Sequence, residues 1–377
     1  MNTHLYIHIP FCRSKCLYCD FYSIPGKTIP WGRFLDAVTA EAEERRTELN
    51  EPPETIYVGG GTPSLMPAEI ATELLDRMKN IFGGNPSEIT IELNPDDVTE
   101  EYIVALKETG YNRFSMGVQC FDDKCLRNMG RRHSAEMARN ASGLLTQLSN
   151  NVSLDLIFGL PEQTLEHWKN DVAQAIRLKP HHVSCYALML EEGTPLTRMV
   201  ESGRISPPDE QLSAEMYAYL QTALKNAGYL HYEISNYALP GFESRHNSSY
   251  WKSHPYLGLG PGAHSYDGMS CRRFNPNDTE GYISRYASGD SNAYFIEKEN
   301  LTSTDIRHEY LLTRLRTSRG ISLENYKEFF GRKEFEKLCA GLQPLIDSQV
   351  MNVTSEGRIR IAEAHWLTAD PIIASLF

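Results

Sequence analysis

Cys12, Cys16 and Cys19 stand in a C-x3-C-x2-C spacing within HIPFCRSKCLYCDF. Three thiolates on one short loop can hold three irons of a four-iron cluster, whereas a structural cluster closes the fourth position with another cysteine. An iron left open is where a small molecule binds and reacts. Zinc and a redox dithiol compete for the same residues. Structural zinc takes four protein ligands, and the chain has no second C-x2-C, so His8 or Asp20 would have to complete the set. A Cys16/Cys19 redox pair would leave Cys12 surplus. The spacing favours an iron–sulfur site, with Phe11 and Phe21 expected to help exclude water.

Further along, Gly59-Gly60-Gly61-Thr62-Pro63 offers backbone that a ligand can approach closely, because glycine has no side chain to obstruct it. The G-x4-G-K-[ST] phosphate loop is absent, and a flexible turn is the plainer reading of the run. Glu92, Gln119 and Asp155 fall on the polar phases of strand-like segments. Buried acids and amides need partners, which either a polar ligand or Arg113 and Arg131 would supply. His246, Asn247, Tyr250 and Trp251 form H-N-x2-Y-W. From spacing alone this is an aromatic packing cluster; its functional reading is a flat apolar ligand, with histidine available to iron. His264 in GPGAHSY is a further candidate.

The elements that position these residues alternate strand and helix. Strands are expected at 5–9, 55–59, 88–94, 113–119, 151–158 and 182–188. Pro67, Thr99, Ser134 and Thr164 stand where helices begin, and Gly110 where one ends. Such alternation implies a parallel α/β sheet. Several strands alternate in polarity instead of reading as continuous apolar runs: Leu5, Ile7 and Ile9 oppose Tyr6 and His8, and Val152, Leu154 and Leu156 oppose Ser153 and Asp155. Helices on the apolar face leave a polar face to line an interior, as in a partial, six-stranded TIM-like barrel. A half-solvated sheet is the alternative. A long helix over 209–227 ends this unit, assigned to residues 1–230. An aromatic and glycine-rich connecting segment (231–300) follows. Residues 301–377 read as a smaller winged-helix-like α+β domain, with helices at 309–316, 323–330 and 334–347 and a hairpin at 351–362.

Composition narrows the class. The net charge of −12 argues against a general nucleic-acid binder, and residues 301–377 balance ten Lys/Arg with ten Asp/Glu. No apolar run reaches membrane-span length. Eight scattered cysteines make no disulfide framework, so a cytoplasmic location without a leader is expected.

Taken together, Tyr6-x-His8-x-Pro10-Phe11-Cys12, the cysteine loop, the 59–63 run, SMGVQ (115–119), DLIFGLP (155–161) and GLGPGAHS (258–265) resemble radical S-adenosylmethionine (SAM) proteins over nearly the full chain. They match the oxygen-independent coproporphyrinogen dehydrogenase superfamily, and within it are most similar to the HemW-type heme chaperones. The resemblance implies a radical SAM barrel with a [4Fe–4S] cluster on the three cysteines, whose open iron takes the amino and carboxylate groups of SAM. It implies SAM contacts at Tyr6, Gly60, Gly61, Thr62, Glu92, Gln119, Arg131 and Asp155, and a heme segment at His246, Asn247, Tyr250 and Trp251. Heme is then cargo passed to respiratory heme proteins, with membrane contact only through those acceptors, and a cluster-dependent homodimer is expected. The alternative is anaerobic coproporphyrinogen III dehydrogenase, and a SAM-radical methylase is a third. Two features oppose the dehydrogenase: Phe21 stands where that branch has a further cysteine, and only about four residues precede the first strand.

Overall fold

The computed structural model describes residues 2–26, 28–288 and 296–377. The six expected strands are β1 (His4–Ile9), β2 (Thr55–Gly60), β3 (Glu88–Leu93), β4 (Arg113–Gln119), β5 (Val152–Phe158) and β6 (His182–Ala187). Each pairs in parallel with the next, His4 opposite Thr55, Thr90 opposite Arg113 and Ser153 opposite His182. The intervening helices start where the sequence marks them. The Thr99 hydroxyl caps Glu100–Thr109, and Gly110 ends that helix at φ 115°. Ser134 caps Ala135–Leu148 and Thr164 caps Leu165–Leu178, each satisfying a backbone N–H that the first turn leaves unpaired.

The sheet is wider than six strands. β7 (Leu230–Glu233), β8 (Asn236–Ala238), β9 (Tyr256–Leu259), β10 (His264–Tyr266), β11 (Cys271–Phe274) and β12 (Glu297–Asn300) extend it to twelve among the described residues, in the order β12-β11-β10-β9-β1-β2-β3-β4-β5-β6-β8-β7. β9 is a seventh parallel neighbour, pairing with β1 from His4↔Tyr256 to Ile7↔Leu259. The residues expected to connect two units therefore also build sheet. Strands of three or four residues are too short for alternation to register in sequence.

Both faces of the parallel strands are enclosed. Leu5, Ile7, Ile91, Phe114, Met116 and Leu154 are buried on the apolar phase; on the polar phase His8, Thr90, Arg113, Ser115, Ser153 and His182 are buried as well. The half-solvated alternative does not hold. Beyond Thr302 lie helix Ser303–Leu315, helical residues Leu323–Asp347 interrupted at Gly331 (φ 81°), and a small sheet of β13 (Ile321–Ser322), β14 (Met351–Val353) and β15 (Arg358–Ile361). The expected second and third helices are these two pieces. Among the described residues, no helix is long and apolar enough to cross a membrane.

One buried ion pair ties the added strands to the rest. Glu41, fully buried on helix Trp31–Arg45, accepts from Arg45 Nη1 (2.8 Å), the Gly260 N–H (2.8 Å), Asn275 Nδ2 (2.7 Å) and the Tyr282 hydroxyl (2.6 Å). Arg45 also donates to the Gly258 carbonyl and Ser265 Oγ. Removing Glu41 leaves Arg45 with only the partly exposed Glu48 as counter-charge and takes the acceptor from the buried Gly260 N–H. Glu41→Ala is expected to cost roughly 3–5 kcal/mol, measured as a lowered midpoint in equilibrium denaturation.

Candidate functional site

At the ends of the parallel strands the chain leaves β1 directly into the cysteine loop. Ile24 N–H donates to the Pro10 carbonyl and Gly26 N–H to that of Cys12 (2.7 and 2.9 Å), closing the loop back on its stem. Cys12 is buried, while Cys16 and Cys19 are partly exposed. All eight cysteines are free thiols. Thr62 Oγ1 donates to Cys12 Sγ at 3.4 Å and Arg131 Nη1 to Cys16 Sγ at 3.5 Å. Burial pushes the Cys19 thiol up to about 11. Among the described residues, no three His, Cys, Asp or Glu side chains converge as on a single ion. His8 cannot complete a zinc site as it stands: its Nε2 donates to the Tyr22 carbonyl (2.8 Å), leaving Nδ1 to accept from the Tyr6 hydroxyl (3.0 Å). Asp20 is exposed. Phe11 packs edge-on to Trp31 and Phe34, but Phe21 is 62 % exposed. Its expected shielding role is not seen, because a side chain this exposed buries little of the loop.

The glycine run lies against this loop and continues the β-pairing, with Gly61 N–H donating to the Ile9 carbonyl and Thr62 N–H to that of Phe11. Each glycine is close to something. A Cβ on Gly61 would stand 2.7 Å from the Phe11 carbonyl oxygen and 3.1 Å from Cys12 Sγ; one on Gly60, at φ +111°, would meet the His8 ring at 2.6 Å. The run is a packed backbone approach and no longer reads as a flexible turn.

Inside the lumen, Glu92 accepts from the Tyr57 hydroxyl (2.7 Å) and the Gly60 N–H (3.0 Å). Burial raises its pKa to about 7 against both hydrogen bonds. Asp155 accepts from Ser115 and Ser153 and is likewise raised, chiefly by burial. Gln119 sits at φ 68°, where a shift of register between Gly117 and Gln119 re-aims the end of β4. Arg131 reaches the same region, with Nη2 on the Gly117 carbonyl (2.7 Å). Arg113 Nε and Nη1, Arg131 Nε and Thr90 Oγ1 are buried without a partner. Buried polar groups are normally satisfied, so this interior suits a polar guest. Two partly buried carboxylates suit one carrying positive charge, as the amino and sulfonium groups of SAM do.

H-N-x2-Y-W lies at the opposite end, where the strands begin. Glu88, at the start of β3, accepts from the backbone N–H of Arg245 and of His246 (both 2.9 Å), holding helix Arg245–Trp251 across the strand starts, the floor of the polar interior. His246 is buried, and both its nitrogens are engaged: Nδ1 with Thr55 Oγ1 (2.7 Å) and Nε2 with the Tyr250 hydroxyl (2.8 Å). Its ring lies 5.0 Å from that of Tyr57. Asn247, Tyr250 and Trp251 are partly buried around it. His264 is exposed on β10, edge-on to Phe274. The structure thus unites the residues expected to contact SAM with the cysteines at one mouth, and sets the expected heme segment at the other. Sequence reasoning missed His4, Tyr57, Glu88 and His182. Their signal was available, since each sits at or near the start of a strand already identified.

The Radical SAM superfamily model matches residues 6–175. The chain is 33 % identical over 363 residues to a Bacillus subtilis protein named heme chaperone HemW, covering 95 % of this chain and 93 % of that one. It is 38 % identical to the Synechocystis protein of the same name, covering 85 % and 80 %. It is 33 % identical to mouse radical S-adenosyl methionine domain-containing protein 1, mitochondrial, covering 94 % and 84 %. Among solved structures, coproporphyrinogen III oxidase (HemN) from Escherichia coli, described as a radical SAM enzyme, superposes at a TM-score of 0.84. It covers all of this chain and 90 % of its own, at 21 % identity, a likeness of fold.

The close packing of the glycine run gives a direct test. Gly60→Ala places a methyl group against the His8 ring in a backbone conformation that alanine disfavours, and should lower stability by roughly 1–3 kcal/mol. Denaturant melts of the apoprotein check this, and wild-type stability would contradict the packing described.

Proposed function

This chain belongs to the HemW family of radical SAM proteins, and from that premise we propose that it is a heme chaperone. It binds heme as cargo, carries a [4Fe–4S] cluster with SAM, and hands heme to acceptor proteins, respiratory heme proteins among them. The observation that carries this reading is the reach of the similarity to proteins named heme chaperones, which covers 95 % of this chain. Cys12, Cys16 and Cys19 hold the cluster. Tyr6, Gly60, Gly61, Thr62, Glu92, Gln119, Arg131 and Asp155 surround SAM, the glycines by backbone approach and the carboxylates by complementing its positive charge. When bound, the cluster and SAM supply one-electron cleavage of a sulfonium bond.

Residues 1–230 form a partial six-stranded barrel, with β9 as an added stave. Residues 231–300 connect it to a winged-helix-like domain at 301–377. Of the heme segment, His246 and Tyr250 hold the helix on the barrel floor, while Asn247 and Trp251 extend the site outward. A cytoplasmic location, a cluster-dependent homodimer and membrane contact only through acceptors complete the proposal.

Two measurements test it. Reconstituted protein should bind hemin stoichiometrically and yield no protoporphyrinogen from coproporphyrinogen III with SAM and reductant under anaerobic conditions; product formation would favour the dehydrogenase. The SAM site is tested by pH. Glu92 is protonated in the free site below about 7, and a cationic ligand favours its carboxylate, so binding expels a proton. SAM affinity should fall about tenfold per pH unit below 7 and level off above it. Glu92→Gln should weaken binding and flatten that dependence in calorimetric titrations.

A further inference from the structure

Where helix Arg245–Trp251 meets the C-terminal residues, a cleft of about 770 Å³ opens at the end of the barrel away from the cysteines, within the roughly 300–1,000 Å³ of small-molecule sites. Its lining is unusual for a chain of net charge −12: five Lys and Arg side chains face two carboxylates. Arg314 and Arg358 donate there to neutral acceptors. Arg314 reaches Ser253 Oγ and the Lys252 carbonyl, and Arg358 the carbonyls of Arg319 and Gly320. Burial lowers the Arg314 pKa, as expected of a guanidinium lacking a nearby anion. Arg314 also stacks 3.9 Å over the Tyr310 ring. Trp251 lines the cleft, and Phe329 does so with 66 % of its surface exposed.

Two histidines complete the wall. His4 is 2 % exposed; its Nδ1 is bonded to Thr55 Oγ1, and its Nε2 is buried without a partner. His254 stacks on it, with ring centroids 5.7 Å apart and planes 16° apart. The His254 side chain has no hydrogen bond among the described residues. Burial lowers the pKa of both rings, so they stand as neutral imidazoles, the form that ligates metal.

We infer that this cleft receives a planar, carboxylate-bearing metalloporphyrin, with His254 as the axial nitrogen and Arg314 and Arg358 holding the carboxylates; this rests on the heme-carrier reading. The apolar rings supply a face for the macrocycle, and paired guanidiniums suit carboxylates. His4 is a positioning residue, stacked behind His254. His246 is one too: with both nitrogens engaged, it fixes the helix that carries Trp251 to the cleft. Ligation therefore comes from a residue eight positions beyond the motif's histidine.

The test titrates hemin and hemin dimethyl ester into cluster-reconstituted full-length protein and follows the Soret band. Wild type should prefer hemin to the ester by about tenfold, the scale of a charge-assisted contact. The double variant Arg314→Gln/Arg358→Gln should lose that preference. His254→Gly should shift the Soret band, and added imidazole should restore it, which a general loss of folding would not allow. His246→Gln, which loosens the helix carrying Trp251, should weaken hemin binding, and the fraction that binds should show the wild-type band position, unlike His254→Gly. If the His254 and arginine variants behave as wild type while hemin still binds, the cleft assignment is overturned and the carrier reading stands. If wild type binds no hemin, both fail.

Discussion

The interior face of the parallel strands is polar and buried, and that constraint governs the rest of the molecule. His8, Thr90, Arg113, Ser115, Ser153 and His182 have no access to bulk water, so each must find a partner within the lumen. Some do so pairwise: His182 bonds Ser153 Oγ at 2.8 Å and the Tyr232 hydroxyl at 2.7 Å. Others do so only if the ends of the lumen are closed. One end is closed by helix Arg245–Trp251, seated on Glu88. At the other, the cysteine loop and glycine run form a rim, and the buried Arg131 Nε left unpaired marks where a guest is needed. Instability of an unfilled interior and affinity for a polar cofactor are two expressions of the same unmet hydrogen bonds.

The two ends differ in how they are built. The cysteine end is made from loops that immediately follow strands, so its residues lie within a few positions of elements whose periodicity is plain. The floor is made from residues far apart in sequence, with Thr55, Glu88 and His246 meeting across more than 150 positions. Charge separates them too. Carboxylates dominate the lumen near the rim, while cationic side chains gather outside the floor.

This difference explains what the sequence disclosed. Polarity alternation in β1, β3 and β5 located the strands and put Glu92 and Asp155 on their polar phase, because period-two patterning survives wherever both faces are buried by different chemistry. Caps at Thr99, Ser134 and Thr164 were legible for the same local reason. β9, β10 and β11 were not, since their three or four residues owe their strand conformation to the neighbouring strand and to the Glu41–Arg45 pair. Spacing left His246 between an aromatic packing cluster and a ligand to iron, because a histidine's partners leave no trace in its neighbours. Thr55 and Tyr250 consume both of its nitrogens, and only one of the two is nearby in sequence. Phe21 misled in the other direction, an apolar residue that packing leaves outside.

Tyr57 belongs to both ends at once. Its hydroxyl is held by Glu92 toward the rim, and its ring lies against His246 on the floor. A ligand that changes the protonation or position of Glu92 therefore acts on a tyrosine whose other neighbour anchors the helix beneath. Thermodynamic reciprocity then applies: whatever free energy rim occupancy lends to or takes from the floor, floor occupancy returns in equal measure to the rim. With cofactor and cargo placed as proposed, loading and release at one end can in this way be metered by the state of the other, through a single phenol ring.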